Sequence, residues 1–167
     1  MAASSTIRTT TTEPSGGSAN DRLRALGKLT ERLTDPERAG VYRVTRTLEL
    51  EDAIRGTRLH FARISLRGAA DRDAILAALA QALAFPEWFG GNWDALEDCL
   101  TDLSWASAEG YVLVLTDTAA TPADELGILL DILGSAAEFW RARAKPFFAV
   151  IVDPEGALAL APLFRER

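Results

Sequence analysis

Two short, uninterrupted apolar runs constrain the fold of this chain more than any other feature of its sequence. The runs are YVLVL at residues 111–115 and FFAVIV at residues 147–152. Such runs are typical of strands buried on both faces, as in a parallel sheet that is packed by helices. A third strand is predicted at residues 59–66, where apolar and polar residues alternate before Gly68.

Helices are predicted between these strands. Asp71 or Asp73 begins a helix that stops before Pro86, because proline cannot continue it. A second helix is predicted to begin near Asn92 and to run to about Leu103. Two helices therefore separate the predicted strand at residues 59–66 from the predicted strand at residues 111–115.

The third helix has a start signal of its own. Thr121 is a predicted N-cap residue, Pro122 follows at the first helical position, and we expect the helix to extend as far as Arg143. The order strand, helix, helix, strand, helix, strand predicts an α/β fold. It consists of a small parallel sheet of about three strands, with one candidate extra strand from the N-terminal region, packed by helices.

The N-terminal third of the chain has a different character. Residues 1–20 are rich in Ser, Thr and Gly, and they are predicted to form a disordered tail. Residues 21–56 are interpreted as an N-terminal extension, with a short helix over 20–34, a candidate strand at 41–44 and a candidate brief helix at 48–55. The main domain is predicted to span residues 57–167.

The composition excludes several classes of protein. No apolar run approaches the roughly 18 residues of a membrane-spanning helix, and the N-terminus lacks the apolar core of a secretory signal. The single cysteine, Cys99, excludes an internal disulfide framework, and with the single histidine, His60, it provides too few ligands for a zinc site. The sequence therefore predicts a cytoplasmic protein with no metal and no cofactor. Nothing in the composition indicates an oligomeric state, and the default expectation for the free protein is a monomer.

The distribution of charge is more informative than its sum. The net charge is −6, but residues 73–140 contain twelve acidic residues and no Lys, Arg or His. A surface of one sign repels nucleic acid and anionic membranes and attracts basic proteins. The alternative is that these acids only solubilise the fold. We expect a basic protein as the partner, and neither nucleic acid nor a membrane.

The segment FPEWFGGNWDALEDCLTDL, residues 85–103, carries the strongest functional signal. Its second half predicts an amphipathic helix with an apolar face made of Leu96, Cys99, Leu100 and Leu103. An acidic stripe on the other side consists of Asp94, Asp98 and Asp102, with Glu97 adjoining. Like charges at this spacing repel each other, and a cationic partner is one reason to keep them.

Three large aromatic residues and two glycines accompany the start of this helix. Trp88, Phe89 and Trp93 flank the pair Gly90 and Gly91. Aromatic side chains beside acids are typical of protein-binding hot spots, and glycine lets another surface approach the main chain closely. The alternative is that the aromatic rings fold back into the core.

Catalysis is not predicted. Asp94 and Asp98, one helical turn apart, resemble an acid–base pair. However, the sequence supplies no set of nucleophile, base and orienting group, no phosphate-binding loop and no metal cluster. His60 lies in a predicted strand and is interpreted as a packed or surface residue. Cys99 is interpreted as a small buried apolar residue rather than as a reactive thiol.

The run PEWFGGNWDALEDCL, from Pro86 to Leu100, resembles the barstar family, the small intracellular inhibitors of barnase-type ribonucleases. The family pattern is an aromatic pair, Gly, any residue, Asn, a hydrophobic residue, and then Asp-Ala-Leu and Asp-Cys-Leu. Such an ordered run is far more specific than an isolated glycine motif. A weaker resemblance covers about residues 59–152 through the order of strands and helices.

The resemblance implies a barstar-like fold for residues 57–167 and an inhibitory function. In the family, this helix and the loop before it block the cationic active site of a ribonuclease, with acidic side chains in place of RNA phosphates. The implied partner is a basic ribonuclease, either the cell's own enzyme or a toxin domain, in a self-protection, immunity or antitoxin role. The partner-binding residues that we predict are Trp88, Gly90, Asn92, Trp93, Asp94, Glu97 and Asp98. Of these, Asp98 is expected to enter the phosphate site.

Two residues depart from the family pattern. Arg141 stands at a position before the last strand that is acidic in the family's archetype, and Glu97 stands where the archetype has tryptophan. These departures keep an alternative open, in which a module of this fold binds a different basic protein.

Overall fold

The computed structural model describes residues 19–46 and 49–164. Its helices are α1 (Ala19–Leu33), α2 (Leu50–Ile54), α3 (Arg72–Ala82), α4 (Trp93–Leu100) and α5 (Ala123–Arg141). Its strands are β1 (Gly40–Val44), β2 (Leu59–Ser65), β3 (Gly110–Thr116), β4 (Phe147–Val152) and β5 (Ala161–Pro162). Residues 1–18 of the predicted tail lie outside the described residues, and Ala19 and Asn20 belong to α1.

The five strands form one parallel sheet in the order β2-β3-β4-β1-β5. The predicted parallel α/β fold is confirmed, but the predicted number of strands, about three with one candidate, was too low. The candidate strand β1 lies between β4 and β5, so a strand from residues 21–56 is internal to the sheet. Strand β5 has only two residues and includes Pro162, which lacks an N–H group and is tolerated at the edge of a sheet.

The sheet separates two layers of buried side chains, because successive residues of a strand point to opposite faces. On one face, Leu113 of β3 and Ala149 of β4 belong to a core that also contains residues of α3, α4 and α5. On the other face, Val112 and Phe148 pack in a core with residues of α1 and α2. The central strands β3 and β4 are therefore buried on both faces, as their continuous apolar runs predict.

Several helix ends differ from the expectation. Helix α4 ends at Leu100 instead of Leu103, which has a left-handed backbone with φ +50 but remains buried. Helix α5 ends at Arg141 instead of Arg143, and Thr121 does not cap its start, because the capping position is Pro122. The predicted cap of α3 is Asp71, whose side chain accepts a hydrogen bond from the N–H of Ala74 at 2.8 Å. Among the described helices, none is long and apolar enough to cross a membrane.

Candidate protein-binding site

The loop between α3 and α4 is held in place by a small cluster of aromatic rings. Phe85 and Phe89 pack with ring centroids 4.9 Å apart, and Trp105, from the turn after α4, meets Phe85 edge-on at 5.9 Å. The indole Nε1 of Trp105 also donates a hydrogen bond of 3.0 Å to the carbonyl oxygen of Leu83 at the end of α3. The loop is therefore anchored at both ends to helices that pack on the sheet.

Trp88 is the most exposed aromatic residue of this loop. Its side chain is 59% exposed, and its ring meets the ring of Trp105 edge-on at 5.9 Å. Phe89 and Trp93 are half-buried and pack against the core that contains residues of α3, α4 and α5. The structure thus separates the three aromatic residues, since Phe89 and Trp93 support the loop and Trp88 presents an indole to solvent.

The two glycines of the loop have different structural roles. Gly91 has φ +68, a left-handed conformation that glycine adopts without the steric strain of a Cβ. Gly90 has no such requirement, because a Cβ added there would lie 3.6 Å from the Cβ of Ala95, an ordinary contact. Gly90 is exposed, so its lack of a side chain leaves the main chain open to an approaching surface.

Asn92 forms the N-terminal cap of α4. Its Oδ1 accepts a hydrogen bond of 2.8 Å from the N–H of Ala95, which satisfies one of the N–H groups that have no partner inside the helix. Asn92 is also exposed, so the same residue sets the start of the acidic helix and remains accessible at the surface.

The acidic side chains of α4 lie on its outer surface. Asp94 and Asp98 are exposed and Glu97 is half-buried. Asp102, the third member of the predicted stripe, lies beyond the end of the helix, where its N–H donates to the carbonyl oxygen of Cys99 at 3.2 Å. Because it remains exposed, the negative surface continues past Leu100.

No ion pair between described residues neutralises these acids. The four ion pairs in the described part of the chain are Arg38–Asp35, Arg55–Asp52, Arg58–Glu109 and Arg72–Asp73. Their carboxylates all lie outside α4. The negative field of the helix is therefore available to a cationic partner.

The inner face of α4 is apolar and fully buried. Leu96, Cys99 and Leu100 lie in the core, and burial raises the pKa of the Cys99 thiol to about 11, with Asp102 and Asp98 adding to the effect. The predicted burial of Cys99 in the apolar face of α4 is confirmed, since its side chain is fully buried.

Two tryptophans that position the site were missed from the sequence. Trp105 supports Trp88, and Trp140 in the last turn of α5 donates a hydrogen bond of 2.8 Å from its Nε1 to the carbonyl oxygen of Leu100. Both contacts join residues far apart in the chain, so no local spacing marks them. The only available signal was the presence of indole groups next to predicted apolar segments, because a buried Trp N–H usually requires an acceptor.

An exposed indole and uncompensated carboxylates on a rigid α/β scaffold define a candidate protein-binding domain. A family model described as Barstar (barnase inhibitor) matches residues 59–152. This range runs from the first residue of β2 to the last residue of β4, and it covers more than half of the chain. The chain belongs to the barstar family, a family of inhibitors. No match was found among curated proteins.

Proposed function

We propose that this chain binds a barnase-type ribonuclease and blocks its cationic active site with α4 and the loop before it. The role is self-protection against the cell's own enzyme, or immunity against a toxin domain, in the cytoplasm. In this proposal the protein is an inhibitor with no enzymatic activity of its own. The contact residues are the seven predicted ones: Trp88, Gly90, Asn92, Trp93, Asp94, Glu97 and Asp98.

One observation carries the proposal. The chain belongs to an inhibitor family, and it exposes the indole of Trp88 in the loop before α4 and the carboxylates of Asp94 and Asp98 on α4. No described cation forms an ion pair with these two carboxylates. An aromatic anchor beside fixed negative charges fits a cleft that is built to bind the phosphates of RNA. Trp93 is half-buried and packs against the core, so its part in this proposal is to support the loop.

Ion pairs between the acidic residues and a basic partner would contribute to the free energy of binding. An ion pair at about 4 Å has a Coulomb energy of about 4 kcal/mol at an effective dielectric constant of about 20. Removing both charges from water offsets part of that energy. Several such pairs on a surface that is already rigid support tight binding, and the negative field of residues 73–140 speeds the encounter with a basic enzyme.

Inhibition of RNA cleavage tests the proposal. A barnase-type ribonuclease is titrated with the protein, and we expect stoichiometric loss of cleavage. Asp98→Ala is expected to raise the inhibition constant about 30-fold or more, which corresponds to a hot-spot loss of about 2 kcal/mol. Asp131→Ala, which removes the same charge from an exposed position on α5, is the matched control and is expected to inhibit almost as well as the parent.

Arg141 supports a second candidate function. This exposed cation ends α5 and follows Trp140, which contacts the end of α4. A positive charge there favours a partner that is basic opposite α4 but not opposite the end of α5, and such a partner need not be a ribonuclease. Folded parent protein that leaves RNA cleavage unchanged contradicts ribonuclease inhibition and favours this second candidate.

A further inference from the structure

A second candidate site lies far from α4. A cavity of about 610 Å³ opens at the carboxyl ends of β3 and β4, beside the first two turns of α5. Leu126 lines it, and Trp140, which contacts α4, lies fourteen residues further along the same helix. At 1.5 Å per residue this separation is about 20 Å. The cavity is therefore distinct from the proposed ribonuclease-binding surface.

The connections that leave the carboxyl ends of the strands lie on both faces of the sheet. The connection after β3 leads to α5 on one face of the sheet, and the connection after β1 leads to α2 on the other face. Strand β4 lies between β3 and β1. In open parallel sheets, ligands bind outside the carboxyl ends of the strands, and this cavity lies at the carboxyl ends of β3 and β4.

The cavity collects the buried polar side chains of the described residues. Among the described residues, only two polar or charged residues are buried: Thr121, 8% exposed, and Asp153, 6% exposed. Both line this cavity. The carboxylate of Asp153 accepts hydrogen bonds from the N–H groups of Ala157 at 3.1 Å and Leu158 at 2.8 Å. The hydroxyl of Thr121 and the Oε2 of Glu125 are the buried side-chain oxygens without a hydrogen-bond partner among the described residues, and of these two residues only Thr121 lines the cavity.

The helix leaves the cavity unfilled. Gly127 lines it from within α5, and a Cβ added at this position would have no atom within 4 Å. Glycine inside a helix costs about 1 kcal/mol relative to alanine. Gly127 is exposed, so this glycine weakens α5 and leaves open space at a position that lines the cavity.

The lining combines apolar walls with negative charge. Leu126, Leu130 and Val152 contribute apolar surface, whereas Asp117 and Glu155 add carboxylates to that of Asp153, and no Lys, Arg or His lines the cavity. Apolar walls beside carboxylates suit an organic cation, because such a cation carries an apolar body as well as a positive charge. A volume of this size suits a small molecule.

Asp117 is held in position for such a ligand. Its backbone is left-handed, with φ +58, and its Oδ2 accepts hydrogen bonds from the hydroxyls of Ser65 at 3.1 Å and Thr116 at 3.2 Å. These contacts fix a carboxylate at the mouth of the cavity. We propose that the cavity binds a small organic cation, an ammonium group on an apolar body, with the charge near Asp117 and Asp153 and the body against α5.

A matched set of probes tests the charge preference. The full chain, labelled with ¹⁵N, is titrated with 2-phenylethylammonium, 3-phenylpropanol and 3-phenylpropanoate, and the amide shifts are followed by NMR. We expect saturable shifts around residues 117–127 and 152–158, with the ammonium compound binding at least about tenfold more tightly than the carboxylate. Equal affinities for the three probes, or no saturable shift with the ammonium compound, overturn the proposal.

Two glycine variants test the location. Gly127→Leu adds a large side chain at a position that lines the cavity and also favours the helix, so we expect a folded variant that binds 2-phenylethylammonium at least about tenfold more weakly. Gly134→Leu is the matched control, because Gly134 also has open space around it in α5 but does not line the cavity. Asp117→Asn keeps a residue type that tolerates the left-handed backbone while removing the charge, and we expect a several-fold loss of affinity. Unchanged binding by Gly127→Leu overturns the site, and unchanged binding by Asp117→Asn overturns the charge recognition.

Discussion

The indole N–H of Trp140, in the last turn of α5, donates a hydrogen bond of 2.8 Å to the carbonyl oxygen of Leu100, the last residue of α4. This buried contact joins the end of the acidic helix to the longest helix of the fold. The ring of Trp140 also packs against Tyr111 of the central strand β3, with centroids 5.2 Å apart. The position of α4 is therefore tied to the sheet.

Trp140→Phe tests this connection. Phenylalanine keeps an aromatic ring but removes the donor, so the carbonyl oxygen of Leu100 loses its side-chain partner. We expect the free energy of unfolding to fall by about 1–3 kcal/mol, measured by urea denaturation. A midpoint equal to that of the parent would show that the hydrogen bond contributes nothing to stability.

The adjacent glycines Gly90 and Gly91 are expected to differ in how much stability is lost when each is replaced by alanine. Gly91→Ala forces a left-handed alanine and is expected to cost about 1–2 kcal/mol of stability. Gly90→Ala meets only an ordinary contact with Ala95, so its stability is expected to change by less than about 0.5 kcal/mol.

The effects of the two variants on inhibition should have the reverse order if the main chain at Gly90 contacts the partner. We expect folded Gly90→Ala to inhibit a barnase-type ribonuclease more weakly than the parent, because the new methyl group stands in the way of a close approach. Inhibition constants measured beside thermal unfolding curves separate the two effects. Full inhibition by Gly90→Ala would remove this residue from the proposed contact surface.

Arg141 is expected to oppose the binding of a basic ribonuclease. Arg141→Glu replaces an exposed cation near the end of α4 by an anion, so the association rate should rise several-fold at low ionic strength and less at high ionic strength. Stopped-flow mixing measures the rate. Arg24→Glu makes the same charge change on α1, across the sheet, and a rate increase of equal size there would attribute the effect to net charge alone.

The burial of the Cys99 thiol in the apolar face of α4 should make the stability of the protein depend on pH. Its pKa is raised to about 11 in the folded protein, so the unfolded chain releases this proton at lower pH than the folded chain does. The thiol therefore stabilises the fold fully below about pH 9, and this contribution disappears as the pH rises from about 9 to about 11. We expect the stability of the parent to fall more steeply over this window than that of Cys99→Ala in urea titrations. Parallel slopes would contradict burial of the thiol.

Much of the fold follows from local patterns in the sequence. The apolar runs of β3 and β4, the start of α3 at Asp71 and the start of α4 at Asn92 are marked by residues within a few positions of each other. Boundaries set by tertiary contacts were predicted less well. Helix α4 ends at Leu100, and Leu103 then adopts a left-handed conformation that keeps its side chain in the core.

The candidate site also combines features that the sequence shows with features that depend on tertiary contacts. The acidic face of α4 and the composition of its preceding loop are visible in the run from Pro86 to Leu100, because helical spacing is a local property. The exposure of Trp88 is not visible there, since it depends on Trp105, which lies seventeen positions away. The cavity beside Gly127 is also invisible, because residues after two different strands form it.

The sequence by itself determined the class of fold, the family and the acidic helix, since apolar runs, helical periodicity and an ordered motif are all encoded between near neighbours. Only the tertiary structure decided the order of the strands, the internal position of β1, the separation of Trp88 from Phe89 and Trp93, and the cavity at the carboxyl ends of β3 and β4. These features arise from pairing and packing between distant segments, whose free energies depend on how the whole chain shares one core.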